Sequence, residues 1–263
     1  MSFFAWAENK PEVPASECRT VSRRVSNGGL QTVEYVLKRH KTSKCARLRV
    51  KNVGVAVTAP PRMPVSAIDR FVKESFDWIL DEQKRIAAEA DLLSVPVFEP
   101  VDGGRMLFRG ETAVLRLGAD RSCSRKCPDG GREIRLAVPS DADETAVTAA
   151  LSVFLKSEAR TVIAEIFEDV RRSARRQPVR WQLSGAKTRW GVCTAAKTVR
   201  WSWRLIFVSD ELVRYVVAHE LAHLVELNHS DRFWREVERL DPRWQEHRRQ
   251  LKRYQAALLP PVD

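Results

Sequence analysis

The segment His219-Glu220-Leu221-Ala222-His223 sets two imidazoles four residues apart, with a carboxylate next to the first, and His229 follows shortly after. These are three of only five histidines in 263 residues. On a helix, positions i and i+4 lie one above the other on the same face. The imidazoles of His219 and His223 can therefore reach one metal ion, with Glu220 projecting beside them. The chemistry this spacing suits is metal-assisted hydrolysis, with Glu220 as the base that takes the proton of the attacking water. Zinc used in this way takes three protein ligands and keeps one position open. His229 is the natural third ligand. A continuing helix would carry it off the shared face, so the chain must turn back, and Asn228 tolerates the left-handed backbone that ends helices.

The gap between His223 and His229 matches the metzincin spacing. The glycine of that pattern is replaced here by Glu226, and the only methionines are Met1, Met63 and Met106, so there is no Met-turn after the motif. The metzincins are excluded. Of the other histidines, His40 falls at a basic strand end and His247 among charged helix residues, where a surface position is expected. Five scattered cysteines are too few and too unevenly spaced for a disulfide-stapled scaffold. They suit free thiols in a reducing, cytoplasmic setting. Cys123 and Cys127 lack a second pair to complete a metal site. No apolar run is long enough to span a bilayer, so no membrane partner is expected.

The elements that must position the histidines follow from periodicity. Residues 1–31 read as a flexible N-terminal segment. Stretches 32–39, 46–50 and 52–59 alternate apolar and polar side chains, which predicts antiparallel strands with one face buried. A helix is expected over 65–90, and short strands within 106–139, two of them joined by a loop over 118–131. Together 32–139 forms a β-rich region with one helix. The stretch 140–255 reads as a helical metal-binding domain with a small sheet. Its first helix is capped at Ser140 or Asp141, and strands are expected at 179–184 and 198–206. The metal-ligand helix covers 210–227, capped by Ser209, and a last helix from Asp231 bends at Asp241–Pro242. The tail Leu-Leu-Pro-Pro-Val-Asp is expected to fray. The fold class is α+β.

Between Arg171 and Arg253 the chain has 19 Lys+Arg against 9 Asp+Glu, whereas the remaining residues nearly balance. The positive field thus belongs to the third that contains the histidines. It favours an anionic partner: a nucleotide, nucleic acid or an acidic peptide. The run Arg171–Arg176 reads as a solvated basic face at a helix C-terminus.

The run from Lys187 to Val237 resembles the YgjP-like proteins, described as metal-dependent peptidases and related to the SprT-like group. The likeness rests on Arg189–Cys193 (RWGVC), Trp203–Leu205 (WRL), Tyr215–His223 (YVVAHELAH) and Asn228–Trp234 (NHSDRFW). It implies a zincin-like domain and a hydrolase with His219, His223 and His229 as ligands and Glu220 as catalytic base. A UTP pyrophosphatase activity is also attributed within the family, so both a peptide and a nucleotide are candidate substrates. Val192 and Ser202 stand where the family commonly has Ser and Asn, which leaves a particular substrate untransferred.

Arg189 and Arg204 are candidate ligands for a phosphate or an oxyanion. Trp190 and Tyr215 are candidate cleft residues, while Trp201, Trp203, Phe233 and Trp234 suit a core. Glu226 and Asp231 are candidates to orient a ligand histidine through its second nitrogen. Three histidines favour Zn²⁺; a phosphate substrate would also suit Mn²⁺, Co²⁺ or Mg²⁺. For a peptide substrate, the strand 198–206 is the expected sheet edge. A DNA-dependent protease would use the same basic surface. A nucleic-acid-binding module built on structural zinc fits less well, because such zinc is usually four-coordinate and cysteine-rich.

Overall fold

Alternating side chains in the N-terminal part form four strands: β1 (Glu17–Arg24), β2 (Leu30–Arg39), β3 (Arg47–Lys51) and β4 (Gly54–Ala59), in the order β1-β2-β4-β3. In the computed structural model of this chain, residues 17–24, 29–51, 54–128, 130–254 and 259–262 are described. Val33, Tyr35 and Leu37 of β2 and Val55, Val57 and Ala59 of β4 turn into the core. The sheet is mixed: β2 and β4 run parallel, with Tyr35 opposite Val55, where antiparallel pairing was expected. Alternation reveals which face is buried, not which strands are neighbours. Uncharged β4 takes the inner place, and β3, with three cations in five residues, takes the edge.

β1 falls within the stretch expected to be flexible. It is held by Arg19, whose guanidinium donates to Asp69 at 3.2 and 3.3 Å. Asp69 also accepts the Tyr35 hydroxyl at 2.6 Å. The helix expected over 65–90 is two helices, α1 (Val65–Glu74) and α2 (Phe76–Leu92), broken at Ser75. Contacts divide the chain into two units, Met1–Ala87 and Ala88–Asp263.

The second unit begins with β5 (Arg105–Phe108), β6 (Glu111–Arg116), β7 (Cys123–Lys126) and β8 (Arg132–Arg135). β7 lies inside the stretch expected as a loop. The order β5-β6-β8-β7, with β6 parallel to β8 and antiparallel outer pairs, repeats the topology of the first sheet. No repeat is visible in the sequence. The β5–β6 turn is Arg109-Gly110, both at positive φ (51° and 77°), and it supports the metal-ligand helix. The backbone N–H groups of Arg109 and Gly110 donate to the carbonyls of Ile206 and Phe207 at 2.7 and 3.0 Å. A Cβ on Gly110 would lie 2.9 Å from that of Ser209.

α3 (Glu144–Arg171) is capped by Asp143, which accepts from the Ala146 N–H at 2.7 Å, rather than by Ser140 or Asp141. It packs on α4 (Asp210–Ala222) and on the turn before it. A third sheet, β9 (Arg180–Ser184), β10 (Gly191–Cys193) and β11 (Thr198–Ser202), has the order β10-β11-β9. The strand expected over 198–206 therefore ends at Ser202, and Trp203–Phe207 is a buried 3-10 turn. α5 (Asp231–Leu240) and α6 (Trp244–Arg253) meet at the expected bend. The tail is packed rather than frayed: Leu259 and Val262 are buried, and the Val262 carbonyl accepts from Arg204 at 2.9 Å. Among the described residues no helix is long and apolar enough to cross a membrane.

Trp201 is fully buried, with its ring 5.5 Å from Phe167 and 5.7 Å from Trp181. Trp201→Ala is expected to cost about 3–5 kcal/mol by urea unfolding. The half-buried Trp190→Ala should cost about 1 kcal/mol. Equal losses at the two sites would contradict the core assignment.

Candidate metal centre

α4 is buried on nearly every face. Leu212, Val213, Val216, Val217, Ala218, Leu221 and Ala222 pack inward, and the helix depends on that packing more than on caps. Ser209 stands at the N-cap position, but its side chain makes no capping bond. Instead Asp210 is held by Arg109, with one bond at 3.0 Å. The helix ends at Ala222, with His223 at the C-cap, five residues before the expected 227. The reversal uses no left-handed residue at Asn228. The Asn228 side chain accepts from the Ser230 N–H at 3.0 Å, forming an Asx turn that starts α5. Arg176 donates to the Leu224 carbonyl at 3.2 Å and anchors the helix exit.

His219, His223 and His229 converge, each offering a ligand atom within 4.8 Å of the others. Nε2 of His219 and Nε2 of His229 are 3.3 Å apart. Two nitrogens bound tetrahedrally to one ion at about 2.05 Å lie about 3.3 Å from each other. The donor set therefore fits a zinc-sized ion. Nδ1 of His223 is 3.2 Å from the Glu226 carbonyl and donates to it, leaving Nε2 free to ligate. Burial and the neighbouring imidazoles push His219 down to about 3, and burial also lowers His223. Both rings stay neutral at ordinary pH, as metal ligands must. Phe233 is the packing floor of the triad, with centroids 4.9, 4.5 and 4.7 Å from the three histidines.

Glu220 is 5% exposed, and burial raises its carboxyl to about 8 against a hydrogen bond from the Cys193 N–H. A Cβ on Gly191 would lie 2.6 Å from Oε1 of Glu220. β10 must therefore carry glycine where it passes the carboxylate. Burial together with Glu220 raises the Cys193 thiol to about 11, so it is no nucleophile. Trp190, Gly191, Tyr215, His219 and Glu220 line a common cavity of about 230 Å³.

The other candidates divide. Arg189 lines an adjoining cavity with Trp190. Arg204 is buried, donates to the carbonyls of Gly185 and Val262 at 3.2 and 2.9 Å, and stacks on Trp203. Ser202 donates to the Ala186 carbonyl at 2.7 Å. Glu226 supports His223 through its backbone, while its carboxylate lies 3.9 Å from Arg232. Asp231 is exposed, and among the described residues it bonds to none of the three histidines. His247, expected at the surface, is buried and bonded to Asp241 at 2.7 Å.

Gly191, Phe233 and Arg248 were not singled out for the site from sequence. The Arg248 guanidinium lies 4.7 Å over the Trp234 ring, and that ring is 5.9 Å from His219 and 5.6 Å from His229. Glycine can signal a close approach, but only the fold shows what approaches.

The family model described as "YgjP-like, metallopeptidase domain" matches residues 44–254. The chain belongs to the YgjP-like family. It is thus a member of a metal-dependent hydrolase family whose metallopeptidase domain implies a metal ion, typically zinc. No curated protein and no solved structure matches the chain.

His229 is exposed, so metal-free His229→Ala should keep the thermal unfolding of the metal-free parent while its zinc affinity falls at least about 10–100-fold in chelator competition. Gly191→Ala should retain zinc but displace Glu220 and cut hydrolysis by about 10²-fold or more. Full activity in that variant would show that Glu220 need not rest against β10.

Proposed function

We propose that the protein is a zinc-dependent peptidase that holds its ion through His219, His223 and His229 and uses Glu220 as general base. The observation that carries the reading is the convergence of three imidazole nitrogens next to a buried carboxylate. A zinc ion held there would lower the pKa of its water and polarise the bond to be cut. Glu220 takes the proton of the attacking water and passes it to the leaving nitrogen. The Cys193 N–H fixes the carboxylate while it does so. Trp190 and Tyr215 wall the cavity and limit bulk water.

A free sheet edge supports a peptide substrate. The strand expected for this role, 198–206, has neighbours on both sides as β11; the edge next to Glu220 is β10. A peptide laid along Gly191–Cys193 as an added strand brings its backbone carbonyl to the histidines. Two departures from the family pattern are read differently here. Ser202 bonds to the backbone, whereas Val192 sits on the edge strand and is the better candidate for a change in specificity.

A nucleoside triphosphate pyrophosphatase is the second reading. It is favoured by Arg248, which lies over Trp234 and makes no hydrogen bond or ion pair among the described residues. Its charge is available to an anion beside the triad.

The deciding assay gives zinc-loaded protein a peptide library and, separately, a panel of nucleoside triphosphates. Glu220→Gln should lower peptide hydrolysis by about 10²–10⁴-fold and leave zinc content unchanged. Pyrophosphate release lost in the same variant, with no peptide cut, would replace the first reading by the second.

A further inference from the structure

Away from the histidines, a cleft of about 720 Å³ lies between the middle of α3 and the segment that follows β9. Its charged lining residues are Lys156, Arg160, Lys187 and Arg204, and no carboxylate lines it. Lys156 and Arg160 are four residues apart on α3, hence on one face, and both are exposed. Like charges so placed destabilise a helix by a few tenths of a kcal/mol. Elsewhere the same helix matches its cations with acids, as in Arg171–Glu168 and Arg172–Asp169. At 156 and 160 it does not.

Aromatic rings hold these cations in place. Nζ of Lys156 is 5.6 Å from the Trp203 ring, and the Arg160 guanidinium is 5.7 Å from the Trp181 ring. The Arg204 guanidinium is 4.5 Å from Trp203 on the same cleft. A ring face positions a cation without neutralising it. Among the described residues, Lys156 and Arg160 make no hydrogen bond or ion pair. The charges of Lys156 and Arg160 are therefore left for an anion on one concave surface.

The cleft is linked to the metal centre through shared lining residues. Lys187 and Arg204 also line the cavity that holds Arg189 and Trp190. Trp190 in turn lines the cavity of His219 and Glu220. The segment 184–190 connects all three and leads directly into β10, the free edge beside Glu220. This shared segment is the route by which a chain paired with that edge would extend toward Lys156 and Arg160.

We propose that this cleft is a specificity subsite that takes the carboxylate side chains of an acidic peptide segment lying to one side of the bond to be cut. The proposal rests on the peptidase reading above. A peptide is favoured over a nucleic acid because the path to the cleft starts at a strand edge, whose N–H and C=O groups pair with another peptide backbone. Lys156 and Arg160 are the selecting residues. Arg204, fixed on two carbonyls, contributes field rather than movement.

The test measures fluorescence anisotropy with full-length, zinc-loaded Glu220→Gln protein, so that bound peptide survives. The probes are a labelled decapeptide with four glutamates on one side of an apolar centre, its all-glutamine counterpart, and an oligothymidylate of equal charge. The glutamate peptide should bind about 10-fold or more tightly than the glutamine peptide. Lys156→Glu with Arg160→Glu should abolish that difference. The same charge change at the exposed Arg121 and Arg135 should preserve it, which separates a local site from overall charge. Equal binding of the two peptides, or a preference indifferent to the 156/160 reversal, would overturn the proposal. So would tighter binding of the oligothymidylate that the 156/160 reversal removes, since the cleft would then be a nucleic-acid site. Selective binding of the acidic peptide without cleavage by wild-type protein would support the acidic-peptide cleft and overturn only the peptidase reading.

Discussion

Burying a carboxylate is expensive unless something favours its charge, and the second unit is arranged around one such group. Glu220 lies under β10, fixed from one side by the Cys193 N–H and adjacent to the imidazole of His219. Holding it there requires a helix buried all round, a glycine where the strand crosses it and a chain reversal that returns His229 to the same place. Each requirement is met by a separate element. α3, α5, α6 and β10 bury α4; the Arg109-Gly110 hairpin fixes its start; Arg176 and the Asn228 turn control its exit. The convergence of the three histidines beside Glu220 is thus a consequence of packing around α4 rather than of the motif alone.

That dependence explains what was legible in the sequence. His219, His223 and Glu220 follow from a spacing of four on a helix, which is a local property. His229 was readable because a turn had to intervene. How the chain turns was not readable: Asn228 acts through its side chain, not through a left-handed backbone. Gly191 meets Glu220 from a distant strand, whereas Phe233 stands four residues after His229; both lie within the matched motifs, but neither motif says what they touch. The aromatic residues separated as burial demands. Trp201, Trp203 and Phe233 are core, while Trp190 and Trp234 keep a surface toward the site.

The sheets show the same limit on a larger scale. Most strand positions follow from alternation, β1 and β7 excepted, but strand order does not. β1-β2-β4-β3 and β5-β6-β8-β7 share order and direction, although their sequences show no repeat. In the first sheet the charged RLRVK takes the edge beside the apolar GVAVTA, but in the second the inner strand REIR is itself charged, so edge charge does not account for the shared topology. Composition along one strand says little about its neighbour.

Charge shows most clearly why residue counts mislead. The surplus between Arg171 and Arg253 suggested a broad positive field. Part of it is paired internally: Arg171 with Glu168, and Arg175 and Arg239 with the buried Glu236. A cation paired in this way contributes little to a distant anion, because its partner cancels the field within a few ångströms. Arg248 beside the triad, and Lys156 and Arg160, which lie outside the basic window altogether, each lie over an aromatic ring with no acid partner among the described residues. Which cations lack an acid is therefore decided by packing, as on α3 and α6, and not by the total.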